Sequence, residues 1–305
     1  MILNASGCLD ALVAPEVARH LDSFVTKTVT PLPRGGNAPV RIAETDGGML
    51  NSIGLANPGI SQFRETLPRL AELGIPIWVS VGGFCADDYA DLCTQLDAEA
   101  VVDTIELNVS CPNVAAPDEA AHEIVSAARA ATEKPLFAKL SPALPDVAAV
   151  AVAAAQAGAD GLSLVNTLRG LALDPRTLRP LLATATGGLS GPALRPVALA
   201  AVHACYRATR LPIVGMGGIE TGRQALELVA AGASSVALGT VLFADPAAPA
   251  RIRSELLQAA RDHGFPSAFA ARACAHEDVC RVAAHPVALS ANKPEEEAGL
   301  SNLKV

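Results

Sequence analysis

Leu211 to Thr240 read LPIVGMGGIETGRQALELVAAGASSVALGT. Two short aliphatic runs, Pro212–Gly215 and Ser234–Leu238, each give way to glycine. Between them Gly222–Ala231 spaces its apolar residues as an amphipathic helix does. A strand, a crossover helix and a second strand make the repeating unit of a parallel sheet. The glycines add chemistry to this unit. Gly215-Met216-Gly217-Gly218 and Gly239-Thr240 both follow strand candidates. In an eight-stranded α/β barrel the loops after the last two strands commonly bind phosphate through backbone N–H groups. Any turn can use glycine for positive φ, so Gly217 and Gly218 alone say little. Their pairing with Gly239 and Thr240 points to a phosphate-bearing cofactor.

Upstream, the same alternation continues. Strand candidates are Met1–Leu3, Ser23–Lys27, Ile77–Ser80, Thr104–Asn108, Leu136–Lys139 and Gly161–Val165, giving eight in all. Helical stretches are Phe63–Leu73, Ala86–Leu96, Glu119–Thr132, Pro145–Ala157 and Pro192–Arg207. The fold class expected is α/β, a (β/α)8 TIM barrel with its active site at the C-terminal face of the strands. An open doubly wound sheet would want a glycine-rich turn after the first strand, and Asn4-Ala5-Ser6-Gly7 is not G-x-G-x-x-G. Two stretches, Thr28–Pro58 and Thr167–Gly191, show no long helical pattern and read as functional loops on the catalytic face. The barrel is expected over residues 1–263. Residues 264–305 read as a partly disordered C-terminal extension.

Composition fits a single large core. The chain has 305 residues, half of them apolar, and only 3% aromatic. Strands buried on both faces favour such small aliphatic side chains. The net charge of −8 has no basic stripe beside it, which argues against a nucleic-acid partner. No run reaches about 18 uninterrupted apolar residues, and no signal peptide is visible, so a soluble cytoplasmic protein is expected. Seven scattered cysteines without a C-x-x-C pair resemble neither a disulfide framework nor an iron–sulfur site. His276 between Cys274 and Cys280 is too loose a pattern for metal, and no metal is expected.

Polar residues crowd the strand ends. Lys27 ends the second candidate strand, and Asn108, Ser110, Cys111 and Asn113 follow the fourth. Lys139 ends the fifth, and Asn166 and Thr167 follow the sixth. Buried polar groups are costly without partners, so this concentration at one barrel mouth implies a polar ligand. Satisfying a loop backbone accounts for any one of them; it does not account for all of them together. Cys111 suits a nucleophile or a general base. No histidine lies near it in sequence, which favours the base.

These residues sit in longer blocks: Val25–Thr30, Gly47–Leu55, Glu106–Asn113, Ala138–Pro142 and Thr186–Pro192. Together they resemble the class 1 dihydroorotate dehydrogenases, in the right order from about Asn4 to Leu257. Asn166-Thr167-Leu168 with the Thr186–Pro192 block resembles class 1B, the NAD-linked type. The resemblance implies FMN-dependent oxidation of (S)-dihydroorotate to orotate in pyrimidine synthesis. It implies that Cys111 takes the C5 proton while a hydride passes to N5 of FMN. It places Lys27 against both flavin and substrate. Asn51, Ser52, Ile53, Gly54, Leu55, Asn108, Asn113, Asn166 and Thr167 would bind substrate. Ser6, Lys27, Thr28, Ser80, Asn108, Lys139, Val165, Gly191, Gly217, Gly218, Gly239 and Thr240 would bind FMN. Class 1B members resemble heterotetramers built on a homodimer core. Their second subunit carries FAD and a [2Fe–2S] cluster and passes electrons to NAD.

The chain departs from that pattern at its start, which lacks the usual hairpin below the barrel. It departs again at Val114–Glu119, shorter than the covering loop of relatives, and at Ser80, where relatives often have Asn. Two alternatives stand beside the main reading: an FMN oxidoreductase for another dihydropyrimidine, and a flavin-binding homologue with impaired turnover.

Overall fold

The computed structural model describes residues 1–109 and 117–276. Twelve strands occur among them: β1 Ile2–Asn4, β2 Phe24–Val25, β3 Ile42–Thr45, β4 Gly48–Asn51, β5 Ile77–Val81, β6 Val102–Asn108, β7 Leu136–Leu140, β8 Gly161–Leu164, β9 Leu168–Leu171, β10 Thr186–Ser190, β11 Ile213–Met216 and β12 Ser235–Leu238. Eight of them form one parallel sheet in the order β1-β12-β11-β8-β7-β6-β5-β2. A parallel bridge between Leu3 and Ser23 joins the two ends, so the sheet closes into a barrel. All eight barrel strands expected from the sequence are present. The second is shorter than expected, yet the chain stays beside β5: Thr26 donates to Trp78 O and Val29 to Ser80 O, at 2.9 and 2.8 Å.

Successive side chains on a barrel strand point alternately in and out. Ile77, Val79, Ile105, Leu107, Ala138 and Leu162 belong to the large core between strands and helices. Leu3, Val25, Trp78, Val214, Met216 and Ala237 form a separate cluster inside the barrel. There Trp78 and Phe137 meet at 4.6 Å with their rings tilted by 50°. Phe137 lies where a side chain on Gly161 would project: a Cβ there would fall 2.3 Å from the phenylalanine ring. This aromatic floor closes the barrel beneath the strand ends.

The outer helices follow the sequence closely, with Ala86–Asp97, Pro117–Ala131, Val147–Gln156, Arg195–Thr209 and Gly222–Ala230. The Ala-rich Val147–Gln156 is started by Asp146, whose carboxylate accepts from the amides of Ala148 and Ala149, both at 3.0 Å. Phe63–Leu73, expected as one helix, is two: Gly59–Arg64 and Leu67–Ala71. Pro68 has no amide proton, and its ring would clash with the carbonyl of Arg64 in a continuous helix.

The two long inserts differ from expectation. They are not irregular loops but a second, four-stranded antiparallel sheet in the order β3-β4-β10-β9. One insert supplies the hairpin β3–β4, turned at Asp46-Gly47; the other supplies β9 and β10. Leu50 pairs with Leu189 across the join.

Helix Ala248–Asp262 completes the outer ring, and the chain then folds back on it. The amides of Ala273 and Ala275 donate to the carbonyls of Val229 and Ala230, both at 3.0 Å. His276 stacks on His203 with ring centroids 4.0 Å apart. Residues 277–305, including Cys280 and the tail expected to be disordered, lie outside the described residues. Among the described residues no group of three His, Cys, Asp or Glu side chains could hold a metal. None of the helices described is long and apolar enough to cross a membrane.

Candidate active site

The C-terminal ends of the barrel strands and the small sheet above them enclose a cavity of about 980 Å³. A drug-sized or nucleotide-sized ligand fits such a space. Of the expected site residues, Ser6, Lys27, Thr28, Asn51, Ser52, Ile53, Gly54, Leu55, Asn108, Lys139, Val165, Asn166, Thr167, Gly191, Gly217, Gly218, Gly239 and Thr240 all line it. Ser80 does not. It is fully buried behind the wall, where its hydroxyl meets Thr28 Oγ1 at 3.0 Å. Thr28 Oγ1 lies 3.3 Å from Ser6 Oγ, which donates to Thr26 O. Ser80 therefore supports the Thr28 hydroxyl instead of facing a ligand. Cys111 and Asn113, together with Ser110, lie outside the described residues.

One end of the cavity is an amide cradle. Among the described residues, the amides of Gly217, Gly218, Gly239 and Thr240 donate to no protein acceptor. Gly218 is buried and the other three are half-buried at the cavity wall, so four open amides together fit an anionic group such as phosphate. Gly239 supports this. It lies outside the left-handed region, and a Cβ there would meet nothing closer than 3.8 Å. Neither the backbone nor protein packing calls for glycine at that position; space left open for a ligand does.

A second set of free amides lies on the segment after β4. Gly54 and Leu55 have φ of 71° and 56°, which turns consecutive N–H groups to one side. The amides of Ile53, Gly54 and Leu55 likewise find no acceptor among the described residues. Neighbouring groups fix the segment: Asn37 Nδ2 donates to Ser52 Oγ at 2.8 Å, Thr184 Oγ1 to Ser52 Oγ at 2.7 Å, and Asn57 Nδ2 to Leu55 O at 2.7 Å. This concavity suits a carboxylate.

Carboxamides face it from the barrel. Asn166 Nδ2 donates to Asn108 Oδ1 at 3.1 Å, and Asn166 Oδ1 accepts from the amide of Thr167 at 2.8 Å. Tyr89 Oη donates to Asn108 O at 2.7 Å and so anchors the end of β6. Among the described residues Asn108 Nδ2 has no acceptor, and Asn108 lines the cavity. Asn51 Nδ2 donates to Gly188 O at 3.3 Å, tying β4 to β10.

Among the described residues, Lys27 and Lys139 are the cations of the cavity wall. Burial, and then the charge of Lys139, hold the Lys27 ammonium below the usual lysine range, with Cys8 acting in the opposite sense. Burial likewise pushes the Cys8 thiol up, opposed by the two lysines. Lys139 Nζ lies 3.4 Å from Glu106 Oε1.

Several lining residues were not anticipated: Cys8, Gly82, Gly83, Phe84, Tyr89 and Phe243 among them. Gly82-Gly83 directly follows β5 and carries the signal already used for Gly217-Gly218. Phe84 is 62% exposed at the rim, with the Arg34 guanidinium 4.9 Å from its ring centre. An isolated exposed phenylalanine has no pattern that would mark it in sequence.

Comparison with known proteins gives a consistent result. A family model described as dihydroorotate dehydrogenase matches residues 1–259. The chain is 44% identical over 277 residues to the dihydroorotate dehydrogenase B (NAD(+)) catalytic subunit of Desulforudis audaxviator, covering 87% of this chain and 90% of that protein. It is 41% identical over 268 residues to the catalytic subunit of the same name from Listeria welshimeri, with 84% and 88% covered. A crystal structure of the Eimeria tenella enzyme in complex with ferulenol superposes with a TM-score of 0.77 at 25% identity, over 90% of this chain and 85% of that one.

Proposed function

The chain belongs to the dihydroorotate dehydrogenase family and is an oxidoreductase; from that premise we propose that it oxidises (S)-dihydroorotate to orotate as the FMN-bearing catalytic subunit of an NAD-linked enzyme. The observation that carries this reading is that one cavity is lined by two amide cradles, two lysines and the hydrogen-bonded Asn108–Asn166 pair.

The cradle at Gly217, Gly218, Gly239 and Thr240 would hold the FMN phosphate. Ser6, Thr28 and Val165 would line the body of the cofactor, with Gly191 allowing the chain to pass close. When bound, FMN accepts the hydride that leaves C6 of the substrate. The amides of Ile53, Gly54 and Leu55 would receive the substrate carboxylate, with Ser52 keeping their segment in place. Asn51, Asn108, Asn113, Asn166 and Thr167 would hold the polar edges of the pyrimidine ring. Cys111 Sγ would take the C5 proton as general base. Lys27 and Lys139 would offset the negative charge that builds up as the hydride leaves. The small sheet above β8 would exclude water during that transfer.

Relatives named as catalytic subunits imply a partner that carries electrons onward. We assign that partner FAD and a [2Fe–2S] cluster, and to the whole a heterotetramer built on a dimer of this chain, located in the cytoplasm. Residues 264–305 would form an extension outside the catalytic barrel.

Anaerobic titration with dihydroorotate tests the central reading. Purified protein should be yellow and should bleach on adding substrate. Yellow protein that never bleaches would identify a flavin-binding homologue without turnover, and bleaching only by another dihydropyrimidine would reassign the substrate. Cys111→Ala should lower turnover on the order of 10²–10⁴-fold at neutral pH, the usual contribution of a general base. Full turnover in that variant would remove the thiol from the mechanism.

A further inference from the structure

Glu106 lies on β6 with its side chain 1% exposed. It shares the inward face of that strand with Thr104 and with cavity-lining Asn108, while Ile105 and Leu107 face the helices. Phe137, part of the aromatic floor, is its register neighbour on β7. A carboxylate between an apolar floor and a ligand cavity is costly unless it is paired. Its partner is Lys139, on the neighbouring strand and 7% exposed.

The pair changes the charge of the site. Lys27 and Lys139 together would place two positive charges at one wall, and Lys139 already works against the Lys27 ammonium. With Glu106 between floor and wall the three groups sum to +1. At 3.4 Å the Lys139–Glu106 contact is longer than the roughly 2.7–2.9 Å of a tight charge-assisted bond. The lysine is therefore steered by the carboxylate without being consumed by it.

We propose that Glu106 is a positioning residue, which holds the Lys139 ammonium at the cavity wall and sets the net charge met by the flavin ring. This rests on the FMN reading above. Removing the carboxylate's charge raises the local sum to +2, which favours the reduced, anionic ring over the neutral oxidised one. A structural strut in the same place would affect folding but not the reduction equilibrium.

Potentiometric titration of the flavin-loaded protein tests this. Glu106→Gln keeps the shape and removes the charge. It should shift the reduction equilibrium toward the reduced form by roughly tenfold, or about 30 mV for a two-electron couple. Lys139→Met should leave the midpoint near the parent's, because losing the ammonium and its paired carboxylate charge together keeps the sum at +1. The double variant should match Lys139→Met, because a buried carboxylate without its ammonium neutralises. A Glu106→Gln midpoint equal to the parent's overturns the proposal, as does a shift of the same size in the Lys139→Met background. If Glu106→Gln does not fold, Glu106→Asp carries the comparison. It draws the charge back by one methylene and should give a smaller shift of the same sign, and a midpoint equal to the parent's overturns the idea. A parent protein that takes up no flavin instead overturns the functional reading itself.

Discussion

Gly239 separates what the polypeptide needs from what its ligand needs. A Cβ there would find only Ala5 and Cys8, each at 3.8 Å. Gly239→Ala should therefore leave the thermal midpoint within the scatter of a neutral surface change, about 0.5 kcal/mol. FMN affinity should fall at least about tenfold, roughly 1.4 kcal/mol, as the methyl group enters the phosphate cradle. Equilibrium dialysis of the flavin together with a melting curve decides it, and unchanged affinity would remove Gly239 from the cofactor site. Residues of this kind were legible in the sequence because they stand at strand ends, where a polar or glycine residue interrupts an aliphatic run. Ser6, Thr28, Asn51, Val165 and Gly191 were not legible that way. Val165 continues an aliphatic run without interrupting it, the other four lie on segments without periodicity, and only the family resemblance marked them. Glu106 was overlooked for a different reason: an acid inside a strand reads as solvent-facing until the barrel shows which way it points.

At the level of elements, the eight barrel strands were readable because each is a short, nearly continuous apolar run. The four-stranded sheet was not. Its strands are half-exposed and glycine-rich, as in Thr186-Gly187-Gly188-Leu189-Ser190, and they pair with a segment far away in the chain. Only the Asp46-Gly47 turn of its hairpin was a local signal, and that signal was available. The glycines have a packing reason. A Cβ on Gly188 would fall 2.1 Å from Thr167 Oγ1. Gly188→Ala must therefore push the small sheet away from the end of β8. The expected cost is about 1–3 kcal/mol, as for overpacked sites elsewhere, with a rise in KM for dihydroorotate because Thr167 moves. Steady-state kinetics and a denaturant midpoint measure both. An unchanged KM would show that the sheet does not set the position of Thr167.

For the whole molecule, the barrel is closed on its outside by the chain after helix Ala248–Asp262. His276 Nε2 lies 2.9 Å from Ala231 O, and its ring stacks on His203 beside Tyr206. Arg207 adds its charge to this corner, and Arg210 and Arg272 lie over the Tyr206 ring. Burial first, then the charges of His276 and Arg207, hold His203 below its ordinary value of 6.5. The docked segment thus favours neutral His203, and a proton is taken up when it lifts away. Docking should be fully in force above about pH 6.5 and should weaken as the pH falls below it. Hydrogen exchange at the amides of Ala273 and Ala275 reads this directly. Protection that is flat from pH 7.5 to about 5.5, once intrinsic exchange is corrected, would count against it.

The small sheet has a consequence for how such a chain is made. Its β4 and β10 strands join residues 137 positions apart at the Asn51–Gly188 bond. A nascent polypeptide still short of Ser190 carries half of a roof and nothing to fasten it to. The chamber therefore cannot close before Ser190 has been made, and no contiguous excised fragment that omits either insert should inherit its chemistry.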